Sequence, residues 1–182
     1  MDDAIGRYIQ HSKSTLPAGF SLKGLKICVD CAHGANYVIG PRVLKELGAE
    51  VIAIGTKPDG FNINKAVGST HPEKLIASVR DNQADLGIAF DGDADRVLLV
   101  DSDGQLRDGD DLLYILACDR LHNKQDIPTV VGTVMTNFGL EQALKEKGIA
   151  LTRVSVGDRH ITAALNADNL PLGGEPSGHI LY

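Results

Sequence analysis

Short apolar runs alternating with helical segments predict an α/β protein, two α/β domains with mixed sheets covered by helices. Three observations carry this reading. Runs such as Leu25–Asp30, Val51–Ile54 and Leu86–Phe90 have strand length and are rich in β-branched and aliphatic residues. Segments with apolar residues at helical spacing fall between them, punctuated by Gly and Pro. The rhythm then restarts after Arg107-Asp108, which predicts domains over residues 1–107 and 108–182.

The elements follow in order. Asp3 to about Ser14 reads as an amphipathic helix with Ile5, Tyr8 and Ile9 on one side, broken by Leu16-Pro17-Ala18-Gly19. The strand Leu25–Asp30 leads through Gly34 and Gly40-Pro41 into a helix over Arg42–Leu47, stopped by Gly48. After the strand Val51–Ile54, the Pro-, Gly- and Asn-rich stretch Lys57–Thr70 reads as a loop. Pro72 and Glu73 open a helix to about Asn82. Strands Leu86–Phe90 and Val97–Val100 flank an aspartate loop, and Asp103-Gly104 marks a turn. In the second half, Asp108-Gly109-Asp110 precedes a helix over about Asp111–Leu121. Strand Thr129–Gly132, helix Leu140–Lys147, strand Leu151–Val156 and a helix to about Leu165 capped by Asp158 come next. Pro171–Gly173 and Ile180–Tyr182 read as strands. The last reaches the end of the sequence, which reads as a piece of a longer protein. The two halves match too loosely to be read as a repeat.

Composition narrows the partners. The 182 residues are 43% hydrophobic, enough for a buried core. Aromatic content of 4% and a net charge of −6 argue against nucleic acid. No apolar run approaches a membrane span, and Met1-Asp2-Asp3-Ala4 does not read as a signal peptide. Three cysteines, few and odd in number, fit the reducing cytoplasm. Cys28 and Cys31 form one C-x-x-C, read as two small buried residues in a strand. The acidity is local: nine Asp face two Arg between residues 85 and 111. That excess is larger than the whole chain's net charge, so it marks a site.

The stretch Phe90-Asp91-Gly92-Asp93-Ala94-Asp95-Arg96 carries the strongest chemistry. Extended backbone points alternate residues the same way, so Asp91, Asp93 and Asp95 are expected to converge. Three crowded carboxylates repel unless a cation lies between them, and hard oxygen ligands suit Mg²⁺, Ca²⁺ or Mn²⁺. Arg96 suits a phosphate oxygen. An EF-hand is excluded, because its sixth and twelfth positions would be Arg96 and Ser102. The further acidic stretch from Asp101 to Asp111 reads as turns and caps.

Gly173-Gly174-Glu175-Pro176-Ser177-Gly178-His179 offers acceptors and donors on a turn between strands, an array that suits sugar hydroxyls or is an ordinary turn. Val156-Gly157-Asp158-Arg159-His160 reads as a helix start, with Asp158 as cap or with Arg159 at an anion site. His33 lies in a βα turn, where it lines a cleft or has no ligand.

Together these motifs resemble the α-D-phosphohexomutase family. Its metal loop, D-G-D-x-D-R, is matched at Asp91–Arg96, and its sugar loop, G-E-x-S-G-H, at Gly174–His179. Pro58–Asn64 and Val156–Arg159 look most like the subgroup that interconverts glucosamine 6-phosphate and glucosamine 1-phosphate. The resemblance implies the second and most of the third domain of a four-domain cytoplasmic enzyme, with the first and fourth domains outside these residues. It further implies Mg²⁺ at Asp91, Asp93 and Asp95, substrate contacts from Glu175, Ser177 and His179, and catalytic or orienting roles for Arg96, Asp158 and Arg159. A hexosamine phosphate is the implied substrate, and the phosphoserine is carried by the first domain. A phosphomannomutase or phosphoglucomutase of the same family, or a metal- or sugar-phosphate-binding module without activity, are the alternatives.

Overall fold

The computed structural model describes residues 3–182. Met1 and Asp2, which open the N-terminal stretch weighed above, lie outside the described residues. The chain divides into two compact units. One holds the residues up to Asp95 with Leu99–Leu106, the other Arg96–Leu98 with Arg107–Tyr182.

The first unit is built on α1 (Ala4–Ser14), β1 (Lys26–Asp30), α2 (Ile39–Glu46), β2 (Glu50–Ile54), α3 (Glu73–Asn82) and β3 (Leu86–Phe90). β4 (Val97–Asp101) and β5 (Leu106–Arg107) complete a five-stranded sheet of order β2-β1-β3-β4-β5. β1 runs parallel to both β2 and β3, with Val29 opposite Ala53 on one side and Ile88 on the other. Ile27, Val29, Leu75, Val79, Ala89 and Val100 are buried in this unit. α1 is capped by the Asp3 carboxylate, which accepts from the Gly6 N–H. Of its apolar residues only Ile9 is buried, and Tyr8 stays 58% exposed. That face opens onto a recess lined by Tyr8, Val43, Phe90 and Asp93.

Three boundaries differ from the sequence reading. α2 begins at Ile39, so Gly40-Pro41 lies inside its first turn, where a missing proline N–H costs nothing. β5 has two exposed residues and no apolar alternation to reveal it. Cys31 falls just past β1 rather than within it. Cys28 and Cys31 are buried and unpaired, and Ser78 Oγ donates to Cys28 Sγ at 3.2 Å. Burial, with Asp30 beside it, pushes the Cys31 thiol up to about 12, so it stays protonated.

The second unit contains α4 (Gly109–His122), β6 (Thr129–Thr133), α5 (Phe138–Glu146), β7 (Ala150–Val154), α6 (Asp158–Asp168), β8 (Gly173–Gly174) and β9 (Ile180–Leu181). Its sheet has the order β7-β6-β8-β9. β6 is parallel to β7 and β8, and β9 is antiparallel to β8. Leu113, Ala117, Val130, Leu140, Leu144 and Leu172 form its core. Both units therefore place their first strand in the middle, the second on one flank and the third on the other, a likeness that the residues themselves do not display.

In the second acidic stretch the carboxylates bind backbone. Asp101 accepts from the Asp103 and Gln105 N–H groups. Asp108 and Asp111 form a reciprocal capping box at the start of α4. Asp110, 2% exposed, accepts from the Asn137 N–H through Oδ2. Its buried Oδ1 has no hydrogen-bond partner. Burial, with Asp108 and Asp111 nearby, raises its carboxyl above the ordinary range against the lowering bond from Asn137. A carboxyl raised on folding stabilises most below its unfolded pKa, and that stabilisation is lost as pH rises through the folded value. Asp110→Asn is thus expected to gain stability relative to the parent as pH rises from 3 to 7. Urea unfolding of both proteins across that range checks this, and a constant difference would contradict it.

Candidate functional site

In the first unit the chain leaves β1 to form β2 on one side and returns to form β3 on the other. The carboxyl ends of β1 and β3 therefore border a topological switch point, where open α/β sheets bind ligands. The aspartate loop begins there, directly after Phe90. Asp91, Asp93 and Asp95 each bring a carboxylate oxygen within 4.8 Å of the others. Asp91 is buried and the other two are exposed. The convergence arises from a turn rather than from extended alternation. The Ala94 N–H donates to the Asp91 carbonyl at 3.2 Å, and Ala94 takes φ 65°. An L-residue is strained in that region, so the loop is bent against local preference.

Its neighbours hold the bend. The Gly92 carbonyl accepts from the Ala35 N–H at 2.8 Å. Gly34 approaches so closely that a Cβ there would lie 2.6 Å from the Gly92 carbonyl carbon. The Ser69 N–H donates to the Phe90 carbonyl, and the Asn64 N–H to the Ala32 carbonyl. Asp30, fully buried, accepts from the Ala32 N–H through Oδ1 and from the Gly68 N–H through Oδ2, at 2.9 and 2.8 Å. Sequence reasoning missed Asp30. Its signal was an Asp at the carboxyl end of a buried strand, the place where such folds build sites. His33 accepts from the Lys57 N–H through Nδ1, which fixes the proton of its neutral ring on Nε2. It lines a recess of about 440 Å³ with Tyr37, Asn62, Ile63 and Asp93.

These three carboxylates are a hard oxygen donor set, two of them exposed to solvent, and so fit a hard divalent cation such as Mg²⁺. They are the one group of three or more metal-ligating side chains among the described residues. Arg96 follows Asp95 and is exposed.

The second unit repeats the placement. Glu175 follows β8, which lies beside β6 at that sheet's switch point. The turn from Glu175 to His179 is a tight hairpin, closed by Glu175 N–H to His179 O and Gly178 N–H to Glu175 O, both 3.0 Å. Two helix starts hold it. The Gly109 N–H of α4 donates to the Pro176 carbonyl at 3.0 Å. The Gly157 N–H, just before α6, donates to Glu175 Oε1 at 2.8 Å. Ser177 Oγ lies 3.2 Å from Glu175 Oε2 and donates to it. Val97 donates its N–H to the Gly178 carbonyl at 3.0 Å.

The structure thus joins two motifs that sequence kept apart, the sugar-loop candidate and Val156–His160. It also corrects the cap. Gly157, not Asp158, is the N-cap of α6. Asp158 is the first helical residue, exposed, with Oδ1 accepting from the adjacent Arg159 N–H at 2.7 Å. Its position one residue too late leaves the capping place to a glycine, whose φ of 120° suits no other residue. At this helix start the Gly157 N–H is already bonded to the Glu175 carboxylate. Arg159 Nε donates to His160 Nε2 at 3.3 Å. His179 is half-buried.

Residues 6–104 match the model of the phosphoglucomutase/phosphomannomutase family's α/β/α domain II, and residues 108–182 match that of domain III. The chain belongs to the phosphoglucomutase/phosphomannomutase family. It is 55% identical over 181 residues to a phosphoglucosamine mutase of Delftia acidovorans, covering 100% of this chain and 40% of that protein. A phosphoglucosamine mutase of Xylella fastidiosa is 58% identical over 179 residues, covering 98% of this chain and 40% of that protein. A crystal structure of a phosphoglucomutase/phosphomannomutase family protein from Burkholderia thailandensis superposes with a TM-score of 0.83 at 30% identity, covering 98% of this chain and 39% of that one. The chain therefore spans about 40% of the length of these relatives. No described helix is long and apolar enough to cross a membrane.

Proposed function

We propose that these residues are the central part of a phosphoglucosamine mutase, which interconverts glucosamine 6-phosphate and glucosamine 1-phosphate in the cytoplasm. The observation that carries the chemistry is the convergence of Asp91, Asp93 and Asp95 at a switch point. The choice of sugar rests on 55–58% identity to proteins of that name. Residues 1–107 and 108–182 would be the second and third domains of a longer enzyme.

Asp91, Asp93 and Asp95 would hold Mg²⁺, which when bound offsets charge on the transferring phosphoryl group. Arg96 would pair with a phosphate oxygen of a phosphoserine supplied by the first domain. Glu175 accepts from sugar hydroxyls, and Ser177 both donates and accepts. His179 supports their turn through its carbonyl, which accepts from the Glu175 N–H. Arg159 and Asp158, on the same helix start, would orient the substrate.

The 182-residue chain by itself is expected to show no mutase activity, since it lacks the phosphoryl donor. A coupled assay for glucosamine 1-phosphate checks this beside the full-length enzyme, and comparable rates would refute it. Running glucosamine, glucose and mannose phosphates through the full-length enzyme separates this reading from a phosphoglucomutase or phosphomannomutase. Absence of turnover on all three would leave a binding module.

A further inference from the structure

The carboxylate of Glu175 does two jobs in this fold. α6 begins without any side-chain cap, since its N-cap is Gly157. Glu175, eighteen residues later in sequence, accepts instead from the N–H of the N-cap residue itself, through Oε1, 2.8 Å from the Gly157 nitrogen. A negative charge at a helix start is favourable, and a hydrogen bond to a carboxylate is stronger than a neutral one. The bond depends on an unusual backbone. At φ 120° and ψ 133° Gly157 lies where a side chain at Cα is strained, and a β-carbon there would meet only His160 Cδ2, at 3.7 Å. Glycine is therefore required for the direction of the N–H and not for want of space. The second oxygen of Glu175 accepts from Ser177. With one donor on each oxygen, the carboxylate is fixed in its plane and keeps further lone pairs for a ligand.

We propose that Gly157 is a positioning residue for the sugar site: its backbone N–H orients Glu175, and so ties the grip on the sugar to the start of α6. This rests on the reading of Glu175 as a sugar ligand. The link has a chemical consequence. Asp158 and Arg159 stand on the helix start whose N-cap holds Glu175, so one hydrogen bond links the two groups of substrate contacts. A substrate hydroxyl meets an acceptor already aligned, which lowers the ordering cost of binding.

Two measurements test the proposal. In the 182-residue chain, amide exchange at Gly157 is expected to accelerate about tenfold or more in Glu175→Ala, and to stay near the parent rate in Glu175→Gln, which keeps an acceptor oxygen. Unchanged exchange in the Ala variant would overturn the link. In the full-length enzyme, Gly157→Ala is expected to raise KM for glucosamine 6-phosphate about tenfold while kcat falls less than about threefold. An unchanged KM in an active, folded Gly157→Ala enzyme overturns the positioning role. If that variant fails to fold, the exchange comparison decides. A parent enzyme inactive on glucosamine 6-phosphate overturns the functional reading instead, and leaves the exchange result standing.

Discussion

Asp93→Asn is expected to weaken Mg²⁺ binding by the 182-residue chain about tenfold or more, measured by isothermal titration. The substitution keeps the size and shape of the side chain and removes one of three charges. The magnitude follows from the donor set. Three carboxylate oxygens within 4.8 Å of one another are held there by a braced turn, so the site is organised before any ion arrives. An amide oxygen still reaches the ion but lacks the full charge that a hard dication requires. Asp93 is exposed, so this loss is not confused with damage to a core. A second reading of the same variant separates binding from folding. With EDTA present, removing one of three crowded like charges relieves repulsion, and Asp93→Asn is expected to melt no lower than the parent. With saturating Mg²⁺ the order reverses, because ligand binding to the folded state adds stability in proportion to affinity. Equal affinities would remove the loop from the metal chemistry altogether.

Asp30→Ala is expected to destabilise the first unit by about 3 kcal/mol, the loss of two hydrogen bonds to a buried charged acceptor. Urea unfolding followed through the amide resonances of Val29 and Ile88 reads that unit separately from the second. Asp30→Asn is instructive beside it. Each carboxylate oxygen accepts from a different backbone donor, Ala32 and Gly68. An amide can accept from only one and turns its NH₂ toward the other, so the isosteric change still costs about 2 kcal/mol. A loss below about 1 kcal/mol in the Ala variant would mean that the Lys57–Thr70 loop is held by its other bonds. The effect reaches the aspartate loop as well. Gly68 precedes Ser69, whose N–H donates to the Phe90 carbonyl one residue before Asp91.

The sequence was informative where chemistry is local. The alternation of strands and helices, Pro72 before α3 and the cap at Asp108 before α4 all follow from short-range rules of backbone conformation. Asp91, Asp93 and Asp95 converge as their spacing implied, although by a left-handed turn at Ala94 that alternation does not anticipate. What was illegible depends on partners distant in the chain. Asp30 becomes important because Gly68, thirty-eight residues on, offers an N–H to it. Gly157 and Glu175 form one arrangement only after β8 has taken its place beside β6. The cap of α6 was misread for the same reason: an Asp at the helix start is the obvious local acceptor, and the carboxylate that meets the N-cap N–H comes from the turn after β8. β5, of two exposed residues, is too short for any periodicity to show.

The shared strand order of the two units bears on how such a chain can change. In each, the central strand, its two flanking strands and the helices between them form a frame, and the candidate site residues lie at its ends. The carboxylate triad sits in the segment after β3, and Glu175 in the segment after β8. On the proposed function, the same frame carries an ion in one unit and a carbohydrate in the other, and the difference resides in a handful of residues at equivalent ends. Selection for a new substrate would act first at these ends, while substitutions elsewhere in the strands, away from residues such as Asp30 at the end of β1, would leave the chemistry intact.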